Sequence, residues 1–367
     1  MAACDWPVRL LNEDTGEVFT VRCGSTDAAM CEVCAQLHAG DVRQLILDGL
    51  DGRTFTFVTF TAPGRELGGR VHSRRAKAGV ARRCACGKVH RDADDPVLGT
   101  PVDPVGFDYD AVVEWNARCR RLLTVALQKL SRLMGRKLDW IGVPEAQSRG
   151  LLHWHCVIDG VVPAHLVQLV ISGGINPMTG RAIQPAEHAR QVFGASVDVV
   201  LVCDDSGRRR VSSYLAKYLT KAAASTVPEG LSAPQRLHRA RLARAVRARH
   251  GCPVTGALAA SMCGQRRHCG VPDSIRARFA PWGWDRCPRT RRAIRQLGHV
   301  GRTFGRSRSW PVSFADIRAR RMAHVHGEHD ATAPMPLTYL GRGYESPVGC
   351  GTLADLLACA TLRPAPS

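Results

Sequence analysis

Two stretches of the chain carry residues whose types and spacing could do chemistry. Gly150-Leu-Leu-His-Trp-His-Cys-Val-Ile-Asp159 sets two histidines two apart in an apolar run. Val211-Ser-Ser-Tyr-Leu-Ala-Lys-Tyr-Leu-Thr-Lys221 sets two tyrosines four apart, each with a lysine three residues on. Imidazole nitrogens ligate divalent cations, and an activated phenol is an oxygen nucleophile. In a chain of formal net charge +19, this pairing points to chemistry on a nucleic-acid phosphodiester.

These groups need elements to position them. Residues 151–158 read as a buried strand, whose side chains alternate between two faces. One face carries Leu151, His153, His155 and Val157. The other carries Leu152, Trp154, Cys156 and Ile158, wholly apolar and suited to packing on helices. The two imidazoles project together, about 7 Å apart along the strand. Residues 138–145 read as a second strand. A three-residue hairpin loop favours glycine at its last, left-handed position. With Ser148, Arg149 and Gly150 in the loop, Gln147 pairs with Leu151 and Glu145 falls opposite His153. Glu145 is therefore the first choice for a third, oxygen ligand and Gln147 the second. The alternative is a pair of hydrogen-bonded core histidines.

Residues 211–223 read as a helix, with Tyr214 and Tyr218 on one face and Lys217 and Lys221 on the same stripe. The bland alternative is two half-buried core tyrosines beside lysines whose stems lie along apolar surface. The chain has only six lysines against 45 arginines, yet two of the six sit here. Lysine is a compact, titratable point charge that can lower a neighbouring phenol's pKa or bind phosphate.

No signal-peptide-like run and no stretch of ~18 apolar residues is present, so a cytoplasmic protein without a membrane segment is expected. Fifteen cysteines in a reducing compartment suggest metal ligands or buried thiols rather than disulfides. Cys31-Glu-Val-Cys34 follows Cys23, with Cys4 or His38 available as a fourth ligand. Cys84-Ala-Cys86-Gly-Lys-Val-His90 is a second knuckle-like cluster, with His72 as a further candidate. Both suit structural Zn2+, completed at a distance because neither holds four ligands locally. Unmetallated thiols are the alternative. Cys252, Cys263, Cys269 and Cys287 have no clean spacing.

The length suggests two or three domains. Residues 1–50 read as a cysteine-bearing zinc-binding element ending in a helix over 32–48. Residues 51–225 read as a nuclease domain. It opens with a strand over 53–62 and carries a Cys/His insertion over 64–108 and a helix over 115–134. Helix and loop over 162–195, a strand over 197–202 and a basic loop of Arg208, Arg209 and Arg210 lead to the tyrosine helix. Residues 226–330 read as a basic DNA-binding region with an arginine-rich helix over 234–250. In its glycine-rich stretch 297–310, Arg302, Arg306 and Arg308 would bind phosphate while Phe304 and Trp310 stack on bases. The alternative there is a solvated basic face with core aromatics. Residues 331–367 read as a partly disordered tail in which 352–361 could form a helix. No GxxxxGK[ST] loop occurs, so no built-in helicase is expected.

The His153-Trp-His155 pair and Tyr214-Leu-Ala-Lys-Tyr218 resemble the HUH endonuclease superfamily. The two-tyrosine form is similar to the initiators of small single-stranded DNA phages. The wider chain resembles RepSA-type replication initiators of actinobacterial plasmids and integrative elements. The matching features are Cys23, Cys31 and Cys34; Phe55-Thr-Phe-Val-Thr-Phe-Thr-Ala-Pro63; and Val71-His-Ser-Arg-Arg75. They continue with Cys84-Ala-Cys-Gly-Lys-Val-His90, a Trp115-Asn116 helix start, and residues 297–310. The resemblance implies an α+β fold: an HUH-type central antiparallel sheet flanked by helices, a zinc-knuckle-like N-terminal element and a basic C-terminal region.

It also implies a rolling-circle replication initiator that nicks and rejoins single-stranded origin DNA through a 5′-phosphotyrosine. Mg2+ or Mn2+ would sit on His153, His155 and Glu145, and Tyr214 or Tyr218 would attack, Tyr214 favoured to cut first. Lys217 and Lys221 would stabilise phenolate or phosphate. Host helicase and polymerase would be partners. A two-tyrosine transposase or relaxase, and a non-enzymatic zinc-stabilised nucleic-acid-binding protein, are the competing readings.

Overall fold

The computed structural model describes residues 4, 7–26, 31–64, 67–77, 80–223, 230–250, 294, 296–299, 304–326 and 337–342. In chain order the elements begin β1 (Val8–Asn12), β2 (Val18–Val21), α1 (Glu32–Leu50), β3 (Phe55–Phe60), β4 (Arg75–Lys77), β5 (Val80–Arg82) and α2 (Tyr109–Leu133). There follow β6 (Trp140–Ala146), β7 (Leu152–Asp159), α3 (Ala164–Ser172), β8 (Gly174–Ile175), β9 (Ala182–Ile183), β10 (Glu187–His188) and β11 (Gln191–Val192). The last are β12 (Val197–Val202), α4 (Asp205–Ala223), α5 (Ala233–His250), β13 (Gly305–Arg306), α6 (Phe314–His326) and β14 (Leu337–Arg342). The chain is α+β and divides into two compact units. One comprises residues 52–207 and 227–309, the other residues 1–51, 208–226 and 310–367.

The first unit is built on a five-stranded sheet in the order β12-β3-β7-β6-β13, every pair antiparallel. Strand β3 alternates Phe and Thr with Val, as a strand should, and Phe55, Val58 and Phe60 are fully buried. Helix α2 covers one face. Its buried residues Val112, Trp115, Cys119, Leu122, Leu123, Ala126 and Leu130 recur at helical spacing and join Trp154, Cys156 and Ile158 of β7 in one core. The apolar face expected for β7 is the one that packs there. The helix begins at Tyr109 rather than at Trp115. Asp108 caps it, its carboxylate accepting from the Ala111 N–H at 2.8 Å, which satisfies an otherwise orphan donor. Trp115 and Asn116 lie inside the helix, both fully buried.

The second unit holds a three-stranded sheet in the order β14-β1-β2 and helices α1 and α6. Trp310 lies against Gly49 and donates its indole N–H to the Leu45 carbonyl at 3.1 Å. Arg320 pairs with Asp48 at 2.8 Å.

Several expectations are corrected here. Arg208, Arg209 and Arg210 lie in the first turns of α4 and not in a loop. Phe304 and Trp310 are buried at 4% and 5% exposure; they pack in cores, so neither is available to stack on bases. Within the tail expected to be partly disordered, Leu337–Arg342 forms a strand paired with β1. Residues 352–361 and Arg302 lie outside the described residues. Among the described residues no helix is long and apolar enough to cross a membrane.

Candidate metal and tyrosine sites

The hairpin between β6 and β7 has the register its glycine demands. Gly150 sits at φ +85°, a conformation an L side chain resists. Gln147 N–H donates to the Leu151 carbonyl at 2.8 Å, and Glu145 lies opposite His153. Helix α2 fastens the hairpin. Asn116 donates from Nδ2 to the carbonyls of Gly150 (2.8 Å) and Leu297 (2.7 Å), and its Oδ1 accepts from Leu152 N–H at 2.9 Å. Trp115 donates to the Leu152 carbonyl at 2.7 Å.

On the opposite face of the sheet, one carboxylate oxygen joins both histidines. Glu145 Oε2 is 2.9 Å from His153 Nε2 and 2.7 Å from His155 Nε2. The two imidazole centroids are 4.5 Å apart, closer than strand spacing alone gives, because both rings lean toward the carboxylate. His155 is 4% exposed. Its ring stacks on Phe57 at 5.7 Å and its Nδ1 lies 3.1 Å from Thr59 Oγ1. Burial lowers the His155 pKa below its ordinary value, against the opposing pull of Glu145, which favours the neutral ring that a metal would need. Thr59 occupies the nitrogen that does not face Glu145, which is how ligating histidines are usually oriented. Adjacent ligands of a small divalent cation stand about 3 Å apart at bond lengths near 2.1 Å, so two imidazoles and a carboxylate at these spacings fit such an ion. The side-chain oxygen of Gln147 is instead taken by Arg149 Nε at 3.1 Å.

Tyr214 and Tyr218 share one face of α4, their rings edge-to-face at 4.7 Å. Leu215 and Ala216 anchor the helix's buried side, while Tyr214 is 36% exposed and Lys217 is exposed. The backbone of Lys221 continues the helix, its side chain lying outside what is described. Arg208 is half-buried and donates to the Leu50 carbonyl at 3.4 Å, tying α4 to the end of α1; Arg209, Arg210 and Arg308 are exposed and Arg306 half-buried. The Glu-His-His cluster lies in the first unit and the tyrosine pair in the second.

The sequence pattern of the RepSA family, described as "Replication initiator protein, pSAM2", matches residues 3–347. This chain belongs to the RepSA family. It is similar to a "Replication initiator protein" of Streptomyces ambofaciens, at 30% identity over 261 residues, or 58% of this chain and 55% of that protein. The chain thus spans about half the length of the curated relative it matches. No solved structure matches.

This RepSA chain also assembles two clusters of four ligands from its cysteine motifs. Cys4, Cys23, Cys31 and Cys34 bring their sulfurs within 4.8 Å of one another. Cys4 takes the fourth place, while His38 stacks on Phe314. Cys4 Sγ is 3.8 Å from Cys31 Sγ and 3.6 Å from Cys34 Sγ. Four thiolates around one tetrahedral zinc at ~2.3 Å stand about 3.8 Å apart, so the spacing fits a single ion. The N–H groups of Cys23 and Ser25 point at cysteine sulfurs. The second cluster is His72, Cys84, Cys86 and His90. Burial pushes the Cys84 thiol up, but backbone N–H groups of Cys86 and Ser73 outweigh it and bring the thiol down to about 7. Spacing could not reveal Thr59, Phe57 or Asp95, a carboxylate beside His90, because each reaches its histidine through the fold or through a turn.

Proposed function

We propose that this chain is a rolling-circle replication initiator that nicks and rejoins single-stranded origin DNA through a tyrosine. The carrying observation is the Glu145 carboxylate of β6, shared by His153 and His155 of the adjacent strand β7, in a family of replication initiators. The placement of both histidines on β7, a central strand, supports an HUH-type reading of the sheet. Glu145, His153 and His155 would hold Mg2+ or Mn2+, which when bound would supply Lewis-acid polarisation of a phosphodiester oxygen. Thr59 keeps Nε2 of His155 turned inward.

The phenol of Tyr214 or Tyr218 gives up its proton and bonds to phosphorus while the 3′ oxygen leaves and takes up a proton. The 5′ end stays on the tyrosine and a 3′-hydroxyl is freed to prime synthesis. One phosphodiester replaces another, so the reverse step rejoins the strand. Lys217 stabilises the phenolate or phosphate charge, and the second tyrosine serves a second cleavage. Exposed arginines, Arg209, Arg210 and Arg308 among them, contact the DNA backbone. Cys4, Cys23, Cys31 and Cys34 hold structural zinc.

The test incubates the chain with origin single strands and manganese and scores covalent adducts on a denaturing gel. Wild type forms adducts; His153→Ala and the Tyr214→Phe/Tyr218→Phe double variant form none. Adducts persisting in the double variant remove both phenols from the reaction.

A further inference from the structure

We propose that His72, Cys84, Cys86 and His90 bind a zinc ion that, through Asp95 and the turn that follows it, braces the tip of the β6–β7 hairpin. The ligand atoms lie within 4.8 Å of one another. His90 Nε2 is 3.3 Å from Cys86 Sγ and 3.4 Å from His72 Nδ1. Two sulfurs and two imidazole nitrogens are a tetrahedral zinc set and suit magnesium poorly. The segment also needs a cross-link. Among the described residues between Gly64 and Gly106, Cys84 and Pro101 are the buried apolar side chains. A stretch with so little core gains its order from metal.

Asp95 connects this cluster to the hairpin. Its Oδ2 is 2.7 Å from His90 Nδ1, the nitrogen turned away from the ligands, the carboxylate–histidine arrangement that orients metal-bound imidazoles. Its Oδ1 accepts from Val97 N–H at 3.1 Å and opens a turn closed by Leu98 N–H on the Asp95 carbonyl at 3.0 Å. The same turn is stitched to His72. Gly99 N–H donates to the His72 carbonyl at 2.9 Å, and His72 N–H to the Thr100 carbonyl at 2.8 Å.

The turn in turn bears on the hairpin. A methyl at Gly99 would stand 3.2 Å from Ser148 Cβ. Helix α5 grips both: Ser232 donates to the Pro96 carbonyl, Gln235 donates to the Leu98 carbonyl at 3.1 Å, and Leu242 presses on Gly150. Glu145 and His153 each lie three residues from the gripped tip, about 10 Å of strand. Asp95 is therefore a positioning residue. Its consequence for strand cleavage rests on the function proposed above; the zinc and the bracing do not.

The test uses the full chain, with zinc alone as the probe and hydrogen exchange as the second reading. Cys84→Ser/Cys86→Ser is expected to carry one zinc equivalent fewer than wild type, with amides of residues 146–151 exchanging at least about tenfold faster. Asp95→Asn keeps the zinc but raises its Kd about 10–100-fold and loosens the same amides. If the serine variant does not fold, Asp95→Asn decides by the same two readings. Unchanged zinc content in a folded serine variant, wild-type zinc affinity in Asp95→Asn, or wild-type exchange at 146–151 in Asp95→Asn overturns the proposal. Adduct formation by wild type is scored in parallel. Its absence counts against strand cleavage and leaves zinc and bracing to their own readings.

Discussion

The carboxylate of Glu145 bonds two histidines at once, and the residue that orients one of them, His155, is Thr59 on the neighbouring strand. Thr59→Val removes the partner of His155 Nδ1 at nearly constant volume. Manganese affinity, read by calorimetry, is expected to fall about 10–100-fold with the fold intact. The clustering of Glu145, His153 and His155 was legible in the sequence because two rules converge on it. Side chains alternate on a strand, and the left-handed glycine fixes where the hairpin turns; Glu145 then has one register to occupy. Thr59 was not legible, since it comes from β3, paired with β7 across some ninety intervening residues, and no local spacing encodes that pairing. Gln147 illustrates the limit of spacing in the other direction. It has the right chemistry two residues on, but Arg149 takes its oxygen.

At the scale of elements, the hairpin and the helices that hold it carry the site. Gly150→Ala forces a side chain onto a positive-φ backbone and brings a methyl to 2.9 Å from Leu242. Urea unfolding is expected to show a loss of about 1–3 kcal/mol. Asn116→Ala leaves the Leu152 N–H and the Gly150 carbonyl without their buried side-chain partner. The same measurement is expected to show roughly 2–4 kcal/mol lost.

His238 on α5 gives a pH signature. It is 6% exposed, its Nδ1 lies 3.1 Å from the Tyr109 hydroxyl, and burial together with Arg239 brings its pKa down from 6.5 to about 4. The unfolded chain takes up a proton on this histidine near pH 6.5 and the folded chain only near 4. Stability is therefore full above about 6.5 and lost as pH falls toward 4. Urea midpoints measured across that window are expected to fall with pH, and less steeply in His238→Gln. The arginine-rich helix was legible to within a residue at its start, because long periodic segments announce themselves. The arginines before the tyrosines were not: read as a basic loop, they form the opening turns of α4 because helix continues upstream to Asp205.

Across the whole molecule, a net charge of +19 would make the DNA affinity proposed above a function of salt. Arg236 and Arg244 on α5 are exposed, and among the described residues no carboxylate pairs with either. Arg236→Glu/Arg244→Glu is expected to weaken binding to origin DNA and to flatten the slope of log affinity against log salt by about 1 per residue, read by fluorescence anisotropy between low and moderate salt. Composition pointed to a polyanionic partner, yet it could not separate arginines that meet solvent from those, like Arg208, that turn inward to a carbonyl. Nor could it foresee that β1 would find its partner in β14, since a pairing between strands so far apart leaves no trace in any short window. That pairing has a consequence for synthesis on the ribosome. The unit that houses the tyrosine helix draws its parts from residues 1–51, 208–226 and 310–367, so its sheet must wait for Arg342 to emerge. A nascent chain therefore carries Glu145, His153 and His155 before it carries the strand that completes this sheet.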